Sequence, residues 1–165
     1  MRSKLFVPGS RPELFDKALH GEADALSFDL EDSVSPERKA EARAALQQWL
    51  SSPAARGSDK TLIARVNPMA SAHFEADVHA VAHPGLALLN LPKVESPDEV
   101  LAAVRVLEAA ERANGVAEPV RLLLNIESPR GLRLAHALAA AHPRVAGLQL
   151  GLGDLFEPLQ IDRQE

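Results

Sequence analysis

Two apolar runs in this chain each close on a single carboxylate. Leu122-Leu-Leu-Asn-Ile126 leads into Glu127, and Leu148-Gln-Leu-Gly-Leu-Gly153 leads into Asp154, 27 residues further on. On neighbouring parallel strands the two side chains would point into one mouth. Two carboxylates with room for water and an oxyanionic substrate suit Mg2+, which takes hard oxygen ligands and keeps several of them as water or substrate. The competing reading is a pair of ordinary helix-start carboxylates near positive dipole ends.

Other polar residues stand at the ends of apolar runs. Arg65 and Asn67 share parity at the end of Thr61-Leu-Ile-Ala-Arg-Val-Asn67, so both should face one side of that strand. An Arg in an apolar run is costly unless paired. It either forms a buried ion pair with Glu31 or Asp32, or offers its planar fork to an anionic substrate, and the two are compatible. Asp29, Glu31 and Asp32 crowd the end of the second run and require cations such as Arg65 or Lys93. Lys93 follows Pro92 at the end of the fourth run; it is read as an ion-pair partner of those acids or as a Schiff-base amine. Pro8-Gly-Ser-Arg11 opens a helix and is a weak anion-binding signal. His79 and His83 read as surface residues rather than metal ligands.

The elements that must position these residues follow one rhythm. Apolar strands at Lys4–Val7, Ala25–Glu31, Thr61–Asn67, Leu86–Val94, Val120–Ile126 and Val145–Leu150 alternate with helices. Helices are expected over Pro12–His20, Glu37–Leu50, Ala72–Ala82, from a Ser96 cap to Asn114, and from a Ser128 cap to Ala141, with a polar loop over Ser51–Lys60. The mean spacing of about 28 residues is that of one βα unit. Strands apolar throughout, rather than alternating, are buried on both faces, so the sheet is parallel. A polar residue at every strand end favours a TIM (β/α)8 barrel over a doubly wound sheet, because a barrel gathers all its strand ends at one mouth. The chain supplies six units of eight. It reads as a single incomplete barrel domain, 1–165, with 156–165 a polar tail or the start of a mobile loop, and with roughly 80–120 residues lying elsewhere.

Composition narrows the classes. A net charge of -5 without a basic run argues against a nucleic-acid partner. The absence of cysteine excludes disulfides, thiolate catalysis and Cys-ligated zinc. No segment reaches the ~20 apolar residues that span a bilayer. A soluble cytoplasmic protein is expected.

Six motifs occur in a fixed order: Leu5-Phe-Val-Pro-Gly-Ser-Arg-Pro-Glu13, Asp24-Ala-Leu-Ser-Phe-Asp-Leu-Glu-Asp-Ser-Val34, Arg65-Val-Asn67, Leu91-Pro-Lys-Val-Glu-Ser96, Ile126-Glu-Ser-Pro-Arg-Gly131 and Gly151-Leu-Gly-Asp-Leu155. Together they resemble the citrate lyase beta-subunit-like branch of the HpcH/HpaI aldolase/citrate lyase superfamily. The resemblance implies a TIM barrel and a Mg2+-dependent, Claisen-type carbon–carbon lyase. The implied substrates are 3-hydroxyacyl thioesters such as citryl, malyl or citramalyl derivatives of CoA or an acyl carrier protein. It implies Glu127 and Asp154 as metal ligands, Arg65 as the holder of the keto-acid carboxylate, Arg11 near the nucleotide part of the thioester, and Glu31, Asp32 and Lys93 as the polar ring. It also implies a homotrimer or homohexamer. Two readings compete with this one: a Schiff-base aldolase through Lys93, and a non-catalytic subunit that keeps the pocket without turnover.

Overall fold

The computed structural model describes residues 2–161. Six strands, β1 (Lys4–Pro8), β2 (Ala25–Asp29), β3 (Thr61–Arg65), β4 (Leu86–Leu91), β5 (Arg121–Ile126) and β6 (Val145–Leu150), form one parallel sheet in sequential order. The helices are α1 (Phe15–Leu19), α2 (Lys39–Leu50), α3 (Pro53–Arg56), α4 (Phe74–Val81), α5 (Pro97–Asn114), α6 (Pro129–Arg133), α7 (Ala135–Ala140) and α8 (Leu152–Phe156). None is long and apolar enough to cross a membrane.

The sheet is curled. In a flat sheet β1 and β6 would lie about 24 Å apart, five steps of about 4.8 Å. Yet Lys4 Nζ on β1 donates to Gln149 Oε1 on β6. The wall therefore bends until its first and last strands face each other across the interior, as in a barrel, while those two strands share no backbone ladder. Its concave face carries Phe6, Ser27, Asp29, Ile63, Arg65, Asn90, Leu123, Asn125 and Gln149, as the strand register requires. Leu26, Phe28, Leu62, Leu89, Leu91, Leu122 and Leu124 on the convex face are buried under the helices. Leu5, Leu148 and Leu150 on the convex side of the two outer strands stay exposed.

Several boundaries differ from those read in the sequence. The strands expected to reach Glu31, Asn67 and Val94 stop at Asp29, Arg65 and Leu91. The expected 12–20 helix is a 3-10 turn at Pro12–Leu14 plus the short α1, and Ser10 supplies no cap to it. The expected loop over 51–60 contains α3, capped by Ser52. The helix expected from Pro129 to Ala141 breaks at Leu134 into α6 and α7. Ser96 and Ser128 do cap α5 and α6, accepting from the backbone N–H of Glu99 and of Gly131. His83, read as a surface residue, has its Nε2 buried without a partner among the described residues. Of the 156–165 tail, Glu157–Leu159 forms a 3-10 turn, and 162–165 lie outside the described residues.

Candidate functional site at the carboxyl ends of the strands

β2 ends on Asp29 and β3 on Arg65, which the register places directly opposite. Arg65 spends its fork on this neighbour: Nε donates to Asp29 Oδ1 at 2.7 Å and Nη2 to Oδ2 at 2.8 Å. Asp29 also accepts from the backbone N–H of Glu31 and of Ser33, both at 2.9 Å. Burial alone would raise the Asp29 carboxyl; Arg65, the Ser33 side chain and the Glu31 N–H outweigh it and hold Asp29 below the usual carboxylate range. Nη1 of Arg65 turns outward, 3.1 Å from both Glu31 Oε2 and the exposed Asp32 Oδ2.

Glu31 is the least satisfied charge at this mouth. Its oxygens lie 3.1 Å from Arg65 and 3.3 Å from Lys93 Nζ, yet neither approach has hydrogen-bond geometry, and both oxygens are buried. Burial pushes its carboxyl up to about 7; Arg65 and Lys93 oppose this, and Asp32 and Glu127 add to it. The folded state thus binds a proton that the unfolded chain has lost. Stability then falls as pH rises from the unfolded value, 4.5, through about 7. In EDTA, Glu31→Gln should gain on the wild type by on the order of 3 kcal/mol between about pH 5 and about pH 8. Denaturant melts read this difference, and a flat difference across that range would contradict it.

Lys93 joins the two halves of the mouth. It has a left-handed backbone, φ 55°, a conformation costing a non-glycine residue on the order of 1–3 kcal/mol. From that position its N–H donates to Glu127 Oε2 at 2.9 Å, and its ammonium lies 3.1 Å from Asp154 Oδ2 and 3.3 Å from Glu31. Burial would lower its pKa, but Asp154 and Glu31 raise it, so Lys93 is held as an ammonium. A Schiff-base nucleophile needs the opposite, a neutral amine.

Glu127 leaves β5 almost buried, at 8% exposure, while Asp154 on α8 is half-buried. Burial raises the Glu127 carboxyl and Asp154 adds to this, against the N–H groups of Lys93 and Asn125. Gly151 gives the carboxylate its space, since a Cβ there would collide with the Glu127 side chain. Glu127, Asp154, Lys93, Met69 and Pro92 border a cavity of about 730 Å³. Among the described residues no three His, Cys, Asp or Glu side chains converge to hold an ion by themselves.

The structure therefore brings Arg65, Glu31, Asp32, Lys93, Asp154 and Glu127 into one connected set. Two sequence candidates lie apart. β3 ends before Asn67, so parity with Arg65 is lost; its amide donates to Leu30 O at 3.0 Å and to Asp77 Oδ2 at 2.6 Å, and Asp77 is in turn paired with Arg43. Arg11 is exposed and pairs with Glu13 at 2.8 Å. Asn90 and Asn125, missed in the sequence reading, sit directly behind Glu127; each is a polar residue inside a wholly apolar strand, and that was the available signal.

Known proteins match the chain in sequence and in fold. The family model HpcH/HpaI aldolase/citrate lyase covers residues 2–165. The chain is 37% identical over 164 residues to citrate lyase subunit beta of Escherichia coli (strain K12), covering 98% of this chain and 53% of that protein. It is 36% identical over 159 residues to the L-malyl-CoA/beta-methylmalyl-CoA lyase of Cereibacter sphaeroides (strain ATCC 17029 / ATH 2.4.9), covering 93% and 48%. The chain thus spans about half the length of these relatives. The structure of a citrate lyase beta subunit complexed with oxaloacetate and magnesium from M. tuberculosis superposes with a TM-score of 0.71 at 30% identity, covering 96% of this chain and 61% of that one. By motif order, fold and these matches, the chain belongs to the HpcH/HpaI aldolase/citrate lyase family.

Proposed function

We propose that the protein is a Mg2+-dependent carbon–carbon lyase acting on a 3-hydroxyacyl thioester, such as a citryl, malyl or citramalyl thioester of CoA or of a protein carrier. The observation that carries the reading is the pairing of Glu127 with Asp154 beside an open cavity, across Lys93 from the cationic Arg65. The residues fit the metal: the donors are carboxylate oxygens, Gly151 leaves the space that Glu127 fills, and two protein ligands leave coordination positions for water and substrate. Glu127 and Asp154 would hold Mg2+, which when bound supplies Lewis acidity to a substrate oxygen.

The chain's own residues do the rest. Arg65 Nη1 takes a keto-acid carboxylate where it now meets the exposed Asp32; the other two guanidinium nitrogens stay on Asp29, so the clamp is narrower than a free fork. The substrate hydroxyl loses its proton, and the C–C bond breaks with its electron pair going to the thioester α-carbon. That carbon is then protonated, leaving a keto acid and an acyl thioester. Glu31, whose carboxyl lies at about 7, is the group best placed to hold and return a proton near neutral pH. The working form is proposed to be a cytoplasmic homotrimer or homohexamer, an assembly that light scattering would size.

Thermal melting tests the reading. Mg2+ with oxaloacetate, glyoxylate, pyruvate or acetoacetate, at about 100 times its Kd, should raise the Tm by about 5 to 10 °C, and EDTA should abolish the rise. No shift with any acid would favour the non-catalytic subunit. An EDTA-insensitive shift would overturn the metal site.

A further inference from the structure

Behind Glu127 a file of two buried amides runs from β4 to β5. Asn90 Nδ2 donates to Leu123 O at 3.0 Å and to Asn125 Oδ1 at 2.8 Å. Asn125 Nδ2 donates to Glu127 Oε1 at 3.0 Å. Neither asparagine reaches solvent.

The direction of this file is fixed at its far end. A backbone carbonyl accepts and cannot donate, so Asn90 must turn its NH2 toward Leu123. Both NH2 protons are then committed, one to Leu123 and one to Asn125. Asn125 must answer with its oxygen, which turns its own NH2 toward Glu127. The cost is visible: Asn90 Oδ1 is buried with no partner among the described residues. Leaving a buried acceptor unpaired costs about 1–3 kcal/mol. The file accepts that cost at its far end and delivers its last donor to Glu127. Oε2 of Glu127 is meanwhile pinned by the Lys93 N–H at 2.9 Å, so the carboxylate is held at both oxygens and cannot rotate freely.

We propose that Asn125, oriented by Asn90, is a positioning residue that fixes the plane of the Glu127 carboxylate toward the cavity, so that it meets a divalent cation in one orientation. This rests on the reading of Glu127 as a metal ligand. Groups that orient a metal-binding side chain from behind typically govern affinity by 10–100-fold.

The test uses the full chain, with Mg2+ binding followed by calorimetry and folding by thermal melting. Asn125→Leu should weaken Mg2+ by about tenfold or more. Asn90→Leu should weaken it less, and adding it to Asn125→Leu should change the affinity no further, because Asn90 acts only through Asn125. Unchanged Mg2+ affinity in Asn125→Leu, with Glu127→Gln abolishing binding, overturns the positioning role and leaves the metal site standing. Wild-type binding in Glu127→Gln overturns the metal site and the positioning role with it. If Asn125→Leu fails to fold, Asn90→Leu decides: loss of affinity at unchanged Tm supports the role, and unchanged affinity overturns it.

Discussion

Gly151→Ala should weaken Mg2+ binding at the proposed site, and with it the proposed thioester cleavage, while leaving the fold close to wild-type stability. One methyl group is enough, because a Cβ at this position falls on the Glu127 side chain, the flexible far end of which must then vacate the place it holds beside Asp154. The backbone has no objection to alanine: φ is -95°, outside the left-handed region. Replacing glycine where alanine fits the backbone also stiffens the unfolded chain, worth about 0.4–1 kcal/mol in the other direction. The expected result is a fall in Mg2+ affinity of about 10–100-fold, with the Tm within about 2 °C of wild type. Gly153→Ala is the internal control, since a Cβ there meets nothing within 4 Å, and it should bind Mg2+ normally. Equal Mg2+ affinity in Gly151→Ala and the wild type, by calorimetry, would show that the Glu127 carboxylate is not where binding happens.

Arg65→Ala should cost both stability and binding. Asp29 has its side chain 3% exposed and relies on the Arg65 fork for its charge. Breaking a buried pair by removing one partner costs about 3–5 kcal/mol. Against a typical total of about 5–15 kcal/mol this is a large fraction. The pH dependence identifies the cause. In the wild type the Asp29 pKa is depressed, so its contribution is present above the unfolded value, 3.8, and is lost as pH falls through the folded one. Without Arg65 burial dominates and the folded pKa moves above 3.8, so the deficit is full near neutrality and shrinks in acid. Lysine should not rescue it, because a single ammonium cannot make two parallel bonds. Urea melts at several pH values read this directly; a pH-independent deficit would point to lost packing against Phe6 instead, whose ring lies 5.7 Å from the guanidinium.

The strands were legible because six runs carry a near-continuous apolar signal, although the two outer strands are largely exposed, and the carboxylates of the mouth were legible because they interrupt it at the runs' ends. Asn67 misled because parity holds only while the backbone stays extended, and β3 ends two residues earlier. Lys93 could be seen as an ion-pair partner of the strand-two acids. Its left-handed backbone could not, since lysine is not a residue type that announces that conformation, and it follows from the Glu127 contact. Asn90 and Asn125 stood in plain view within apolar runs, but a direction of hydrogen bonding needs three dimensions to be read. The short α3 and the break at Leu134 fall below what helical spacing resolves.

The ionised groups at the mouth also dictate an order of addition. Among the described residues, the ion pairs of Asp29, Glu31, Asp32 and Asp154 are made with Arg65 and Lys93, and with Glu127 these acids exceed the two cations by three charges when Glu31 is ionised. A keto acid or an anionic thioester approaching that excess is repelled, and Lys93, already claimed by two carboxylates, cannot offset it. A dication arriving first brings the sum close to neutrality. If Glu127 and Asp154 hold the cation as proposed, the mouth is an electrostatic latch that favours the cation first and the anionic substrate second.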